Sequence, residues 1–225
     1  MKNVEGKYFT LEEYKDKIKE TQQDKDKRLI YLYSNDKDEQ HSYIEAAREK
    51  GYDVLLMDGV LDNHFINHLE QKLENTSFTR VDADTIENLI KKDDTETPSK
   101  LEEKQKEAIK PLFEAIVDKA KFTVEFKNMS ESDLPVMITR PEFMRRMKDM
   151  SALGGTGMMG MDNLPDSYNL VVNTNHHLIY KMATEENEEE RRKIAKQLTD
   201  LAMLSQNLLK GEALTEFVKR SVGLL

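Results

Sequence analysis

The sequence contains no cysteine and no tryptophan among its 225 residues. The absence of cysteine excludes disulfide bonds, thiolate metal sites and cysteine nucleophiles, and it favours a reducing, cytoplasmic location. Long apolar runs are also missing, since the longest span about four residues, as in Val54 to Met57, against the roughly 20 that a membrane helix needs. Residues 2–20 alternate charged and apolar groups, unlike a secretory signal. We therefore expect no membrane partner.

The composition is acidic and rich in methionine. A net charge of -9 argues against nucleic acid as a partner, because nucleic-acid binding needs a basic face. There are 12 methionines. Seven of them lie close together in the sequence: Met137, Met144, Met147, Met150, Met158, Met159 and Met161.

The N-terminal half alternates helical and strand patterns. The predicted strands cover residues 28–33, 52–57 and 78–81. Thr10 with Glu13 forms a capping box for a first helix, and Asp36 is expected to cap a helix that ends at Gly51. This spacing predicts an α/β fold, a small parallel three-stranded sheet with flanking helices. Residues 1–92 form this unit, and the polar residues 93–100 read as a linker.

Residues 101–225 predict an α+β domain that ends in a helical hairpin. Pro111 predicts a break between two helices near Lys110, since proline is poorly tolerated inside a helix. The other expected elements are strands 122–127, 136–139 and 168–172, a helix opened by Pro141, a helix 176–183 capped by Asn175, a helix from Asn187 to about Leu209, and a last helix after Gly211.

No group of residues predicts catalysis. The turn after the first strand, residues 34–38, is acidic and has no glycine, so it is a poor phosphate cradle. His64 and His68 have a spacing that can chelate metal, but no third ligand joins them, and we read them as solvent-facing. Methionine thioethers could alternatively hold Cu(I). We therefore expect that this chain is not an enzyme and that it does not bind a metal.

The methionine cluster begins on the helix opened by Pro141. Its apolar side chains are Phe143, Met144, Met147 and Met150, and the charged side chains on the other side are Arg145, Lys148 and Asp149. Such a stripe ordinarily packs inward. A glycine-rich segment with Met158, Met159 and Met161 follows at once, and methionine suits surfaces that fit many partners. We predict a protein-binding face, with an ordinary core stripe as the alternative.

The C-terminal hairpin carries more apolar residues than one covering surface needs. A second copy of the chain could cover the remaining stripe in a symmetric four-helix bundle. The predicted dimerisation residues are Leu198, Leu201, Leu204, Leu208, Leu214, Phe217, Val218 and Val222.

Several short motifs occur in order along the chain: 9–14 (Phe-Thr-Leu-Glu-Glu-Tyr), 30–33 (Ile-Tyr-Leu-Tyr), 50–57 (Lys-Gly-Tyr-Asp-Val-Leu-Leu-Met), 136–139 (Val-Met-Ile-Thr) and 168–178 (Tyr-Asn-Leu-Val-Val-Asn-Thr-Asn-His-His-Leu). The first three resemble the end of the middle domain of the heat-shock protein 90 chaperone family, and the last two resemble its C-terminal domain. The ending Gly223-Leu224-Leu225 lacks the acidic Glu-Glu-Val-Asp tail, so the chain resembles the bacterial HtpG type.

The resemblance implies a fragment of an ATP-dependent chaperone that binds unfolded or partly folded proteins and homodimerises through its C-terminal helices. It implies that ATP and Mg act in the full-length protein and not here, and that no tail docks tetratricopeptide co-chaperones. It also carries client contact over to Phe143, Met144, Met147 and Met150. A dimeric scaffold and a small-molecule or metal-binding α/β protein remain the alternatives.

Overall fold

A computed structural model describes residues 1–92, 97–153 and 166–223, with the side chains of all of these except 149–153. In chain order the elements are α1 (Leu11–Ile18), β1 (Leu29–Ser34), α2 (His41–Glu49), β2 (Val54–Leu56), α3 (Asp62–Lys72), β3 (Thr76–Arg80), α4 (Ile86–Leu89), α5 (Glu103–Glu114), β4 (Phe122–Lys127), β5 (Val136–Thr139), α6 (Glu142–Leu153), β6 (Tyr168–Asn173), α7 (His177–Thr184), α8 (Glu188–Ser205) and α9 (Gly211–Val222).

The chain divides into two compact units. Unit 1 comprises Met1–Thr95 and Arg140–Leu164, and unit 2 comprises Glu96–Thr139 and Pro165–Leu225. The boundary after Thr95 lies inside the linker expected at 93–100. Helix α6 groups with unit 1, although the sequence division assigned it to the C-terminal segment, because its side chains contact the N-terminal sheet.

Unit 1 is built on a parallel three-stranded sheet in the order β2-β1-β3, which confirms the predicted fold class. All six residues of β1 are buried, as expected of a central parallel strand that is covered on both faces. Tyr31 of β1 stands opposite Phe78 of β3, and their rings stack with centroids 4.7 Å apart. Tyr14 of α1 packs against Tyr31 at 5.6 Å, so aromatic rings tie α1 to the sheet.

Unit 2 is built on a mixed sheet in the order β4-β6-β5, with helices packed on it. Strand β6 runs parallel to β4 and antiparallel to β5. In the core of unit 2, strand residues such as Leu170 pack with Phe113 of α5, Ile179 of α7 and Leu198 of α8. The structure thus confirms an α+β arrangement that ends in the α8–α9 hairpin.

Helix α5 runs unbroken from Glu103 to Glu114, so the predicted break near Lys110 is wrong. Pro111 lies in the last turn of the helix, which continues without the hydrogen bond that a backbone N–H at this position would donate. Its carbonyl still accepts from the backbone N–H of Ala115 at 3.0 Å. The side chain of Pro111 is exposed, so its ring displaces no core residue.

Two helix boundaries also differ from the predicted ones. Helix α2 begins at His41, because the carboxylate of Asp36 instead accepts from the N–H groups two and three residues further on, at 2.9 and 3.0 Å. Asp36 therefore stabilises a turn before the helix. Helix α8 ends at Ser205, four residues before the predicted Leu209.

His176, and not the predicted Asn175, caps helix α7. The Nδ1 atom of His176 accepts from the backbone N–H of Leu178 at 3.1 Å. The side chain of Asn175 joins two loops, since its Oδ1 accepts from Lys100 N–H at 2.8 Å and its Nδ2 donates to the Met129 carbonyl at 2.9 Å. The cap requires an unprotonated imidazole, because a protonated Nδ1 cannot accept.

Acidification below about pH 6.5 is expected to destabilise unit 2 through His176. Burial, followed by the neighbouring His177, lowers the pKa of His176 from its ordinary value of 6.5. The unfolded chain then takes up this proton at higher pH than the folded chain. The contribution of the cap is therefore full above the unfolded-state pKa and is lost as the pH falls towards the folded-state pKa. Urea unfolding across this pH range measures it.

His176→Asn is the matched control for this prediction. Asparagine is a good N-cap residue and does not titrate, so it retains an acceptor at every pH. The difference in unfolding free energy between the two proteins should change with pH in the direction given above, while other histidines cancel. A constant difference would show that His176 is not the group responsible.

Candidate functional site

Arg146 attaches helix α6 to the surface of unit 1. Its Nη1 donates to Glu70 Oε2 at 2.6 Å, and its Nε donates to Glu142 Oε1 at 2.6 Å. Its Nη2 also donates to the backbone carbonyl of Phe78 in β3. Glu70 in turn accepts from the Phe78 N–H at 2.7 Å. This one side chain therefore joins α6 to both α3 and the edge of the sheet.

Arg145 makes the second attachment, to Tyr33 of the central strand. Its Nη2 donates to Tyr33 Oη at 2.5 Å and to Glu142 Oε1 at 2.7 Å. Burial alone would raise the pKa of the Glu142 carboxyl, but Arg145 and then Arg146 outweigh it and hold that pKa below its ordinary value. Burial, followed by the charge on Glu142, raises the pKa of Tyr33 well above its ordinary value. The cluster thus combines ionised Glu142 with a neutral phenol.

Phe143 and Met147 of the apolar stripe lie on the opposite side of α6 from Arg145. At 100° per residue, Phe143 and Met147 each lie about 160° around the helix from Arg145. Phe143 is 73% exposed, and Met144 and Met147 are partly buried. The other predicted client-contact residues have side chains outside the described part of the chain: Met150, Met158, Met159 and Met161.

The side of α6 that carries Arg145 packs on the rest of unit 1. The side chain of Arg145 is only 10% exposed, although the sequence placed it on the solvent side. Sequence reasoning therefore missed Arg145, Arg146 and Glu142 as the residues that hold the helix. The spacing of Glu142 and Arg146, four residues apart, was the available signal for an ion pair.

A second apolar surface lies on the hairpin of unit 2, and we call it the hairpin surface. Its exposed members are Leu201 (45%), Leu204 (39%), Val218 (51%) and Val222 (64%). All four were predicted as dimerisation residues. Exposed apolar side chains of this size on both helices of the hairpin are candidates for a protein interface.

The other four predicted dimerisation residues are less exposed. Leu198 and Phe217 are buried at 6% and 7%, and Leu198 belongs to the core of unit 2. Leu208 and Leu214 are partly buried. Leu208 packs against the same core as Leu198.

Asp200 joins the two helices of the hairpin. Its side chain is 1% exposed, and its oxygens accept from Arg220 Nη2 of α9 at 2.6 Å and from Lys196 Nζ of α8 at 2.6 Å. Arg220 Nε also donates to Gln197 Oε1 of α8 at 2.7 Å. The network holds α9 against α8 in one register, and so determines which side chains the hairpin surface presents.

No metal cluster is found among the described residues, where no three His, Asp or Glu side chains come together. His64 and His68 are both exposed on α3. In the same part of the chain, no helix has the length and apolar character to cross a membrane.

Comparison with known proteins identifies the family. The model of the Hsp90 protein family matches residues 2–220. Relatives named chaperone protein HtpG are 39% identical in Bacteroides fragilis strain YCH46, 39% in Bacteroides thetaiotaomicron and 37% in Porphyromonas gingivalis ATCC 33277. Each match covers 99% of this chain, which spans 42% of the length of each relative. The chain belongs to the Hsp90 family.

Proposed function

We propose that this chain is the client-binding and self-associating part of an Hsp90-type chaperone that acts on unfolded or partly folded proteins. One observation carries the client-binding assignment: helix α6 is attached by Arg145 and Arg146 and leaves Phe143 73% exposed. An attached helix with an outward aromatic residue offers a fixed apolar surface. Burying one such side chain against a partner is worth about 1.5–3 kcal/mol.

Methionine on the same helix suits this role. Met144 and Met147 are partly buried, so part of each thioether remains accessible beside Phe143. Unbranched, polarizable side chains adapt to apolar segments of different shape, as a binding site for many clients requires.

Self-association is proposed to use the hairpin surface. In a symmetric dimer the same patch on each copy covers the other, so Leu201, Leu204, Val218 and Val222 would all lose their exposure. The buried Leu198 supports this arrangement, because it packs in the core of unit 2 while the four side chains of the hairpin surface stay exposed.

We further propose that the chain itself does not bind ATP and that ATP and Mg act elsewhere in a full-length chaperone. The turn after β1 supports this, since its backbone N–H groups already have acceptors. Gln40 Oε1 accepts from Asn35 N–H at 3.1 Å, and Asp36 Oδ1 accepts from Asp38 N–H at 2.9 Å. A phosphate would find few free donors there. The cytoplasm, a reducing compartment where proteins rarely contain disulfide bonds, is the proposed location.

Phe143→Ser is expected to remove at least about half of the chain's suppression of client aggregation, because it deletes the exposed aromatic side chain of α6. Light scattering of thermally unfolded citrate synthase, with the chain present in equimolar amount, measures the effect. Tyr8→Ser is the matched control, since Tyr8 is also in unit 1 and is 77% exposed. Equal suppression by both variants and the unmodified chain would favour the passive dimeric scaffold.

A further inference from the structure

An open groove of 640 Å³ lies between helices α5 and α8 of unit 2. One wall is formed by Ala108, Pro111 and Leu112 of α5 and by Ala115 and Ile116, which directly follow the end of this helix. Ala108, Pro111 and Ala115 are exposed, so this wall of the groove is lined by small side chains. At 1.5 Å per residue this wall is about 12 Å long, a little more than two helical turns.

The opposite wall is basic. Helix α8 contributes Glu188, Arg191, Arg192 and Lys196 to the groove. Arg192 pairs with Glu188 at 2.5 Å, and Lys196 pairs with the buried Asp200. Two of the three cations therefore have a carboxylate partner already.

Arg191 is the remaining cation. Within residues 1–92, 97–153 and 166–223, it forms no ion pair or hydrogen bond through its side chain, and its Nε is buried with no acceptor. Buried polar groups in folded proteins are nearly always hydrogen-bonded, so the buried Nε of Arg191, which has no acceptor among the described residues, needs an explanation. A carboxylate from outside the chain, bound to the Nη atoms, would give Arg191 its counter-ion.

We propose that the α5–α8 groove binds a short amphipathic helix of a partner protein that carries an acidic residue. The apolar side of such a helix would pack on the small side chains of this wall, which allow a close approach of backbones. Its carboxylate would lie against Arg191. Two turns of helix match the 12 Å wall, and apolar residues at i, i+3, i+4 and i+7 are the known pattern for a helix in a groove.

The test uses the complete 225-residue chain and a fluorescein-labelled peptide. The peptide has about 14 residues, leucine at i, i+3, i+4 and i+7, and glutamate on the flank of the apolar stripe. Fluorescence anisotropy should show saturable binding. Arg191→Glu should weaken it at least about tenfold, and Ala108→Trp, which fills the groove, should do the same. Lys181→Glu, an equal charge change on the exposed side of α7, should leave affinity within about twofold.

The proposal would be overturned if the peptide showed no saturable binding, or if Arg191→Glu bound it as tightly as the unmodified chain. It would also fail if a peptide with lysine in place of glutamate bound as tightly as the original. Displacement of the labelled peptide by dodecanoate as effectively as by unlabelled peptide would indicate a small aliphatic acid as the occupant, and would likewise overturn it. Phe143→Ser separates this groove from client binding. The variant should keep its full affinity for the peptide, and loss of binding would mean that the peptide is held as a client on α6. The groove proposal can therefore fail while the proposed client binding stands, and client binding can fail while the groove proposal stands.

Discussion

Leu204→Glu is expected to convert a dimer of this chain into monomers at about 10 µM and to weaken self-association at least about 100-fold. Leu204 is 39% exposed on the hairpin surface. In a symmetric interface the substitution enters twice, and each copy would bury a carboxylate within an apolar surface. Size-exclusion chromatography with light scattering gives the mass directly.

Leu134→Glu is the control for this result. Leu134 also belongs to unit 2 and is 53% exposed, but it lies outside the hairpin surface. Its variant should therefore remain dimeric. An unmodified chain that is monomeric at the same concentration, or a Leu204→Glu chain that stays dimeric, would contradict the assignment of the hairpin surface.

Arg220→Ala is expected to lower the free energy of unfolding of unit 2 by about 2–3 kcal/mol. Asp200, at 1% exposure, would lose one of its two cations and the link between α8 and α9. The loss is less than for a wholly orphaned charge, because Lys196 still neutralises the carboxylate and Arg220 was 29% exposed. Urea unfolding followed by circular dichroism measures the change.

Arg192→Ala provides the comparison. Its pair with Glu188 is as short, at 2.5 Å, but the two side chains are 68% and 61% exposed. Water and salt screen such a pair, so the variant should lose less than about 0.5 kcal/mol. Equal losses in the two variants would mean that burial of Asp200 contributes nothing to the hairpin.

Most of the fold could be predicted from local pattern. The apolar run at 28–33 gave β1 within one residue, and Thr10 with Glu13 forms the expected capping box. Errors occurred where one residue can satisfy two local roles. Asp36 caps a turn rather than a helix, and Pro111 lies in the last turn of α5 instead of opening a second helix.

The orientation of α6 could not be predicted in this way. Periodicity divides a helix into an apolar and a charged side, but it does not say which side meets the rest of the unit. The partners that decide this are distant in sequence: Tyr33 is 112 residues from Arg145, and Glu70 is 76 residues from Arg146. The sequence also could not separate the exposed members of the predicted dimerisation residues from the buried ones, since the same leucine repeat supplies both the surface and the core.

Unit 1 is built from two separate stretches of the chain, and this sets the order in which its parts can fold during synthesis. The last strand of its sheet ends at Arg80. Helix α6, whose side chains bind Tyr33 and Glu70, begins only at Glu142. Strands β4 and β5 of unit 2 leave the ribosome in between. Because domains fold as they emerge, the sheet of unit 1 can form first, and docking of α6 becomes a separate, later step. A growing chain therefore acquires its proposed client-binding helix only after the surface that holds it exists.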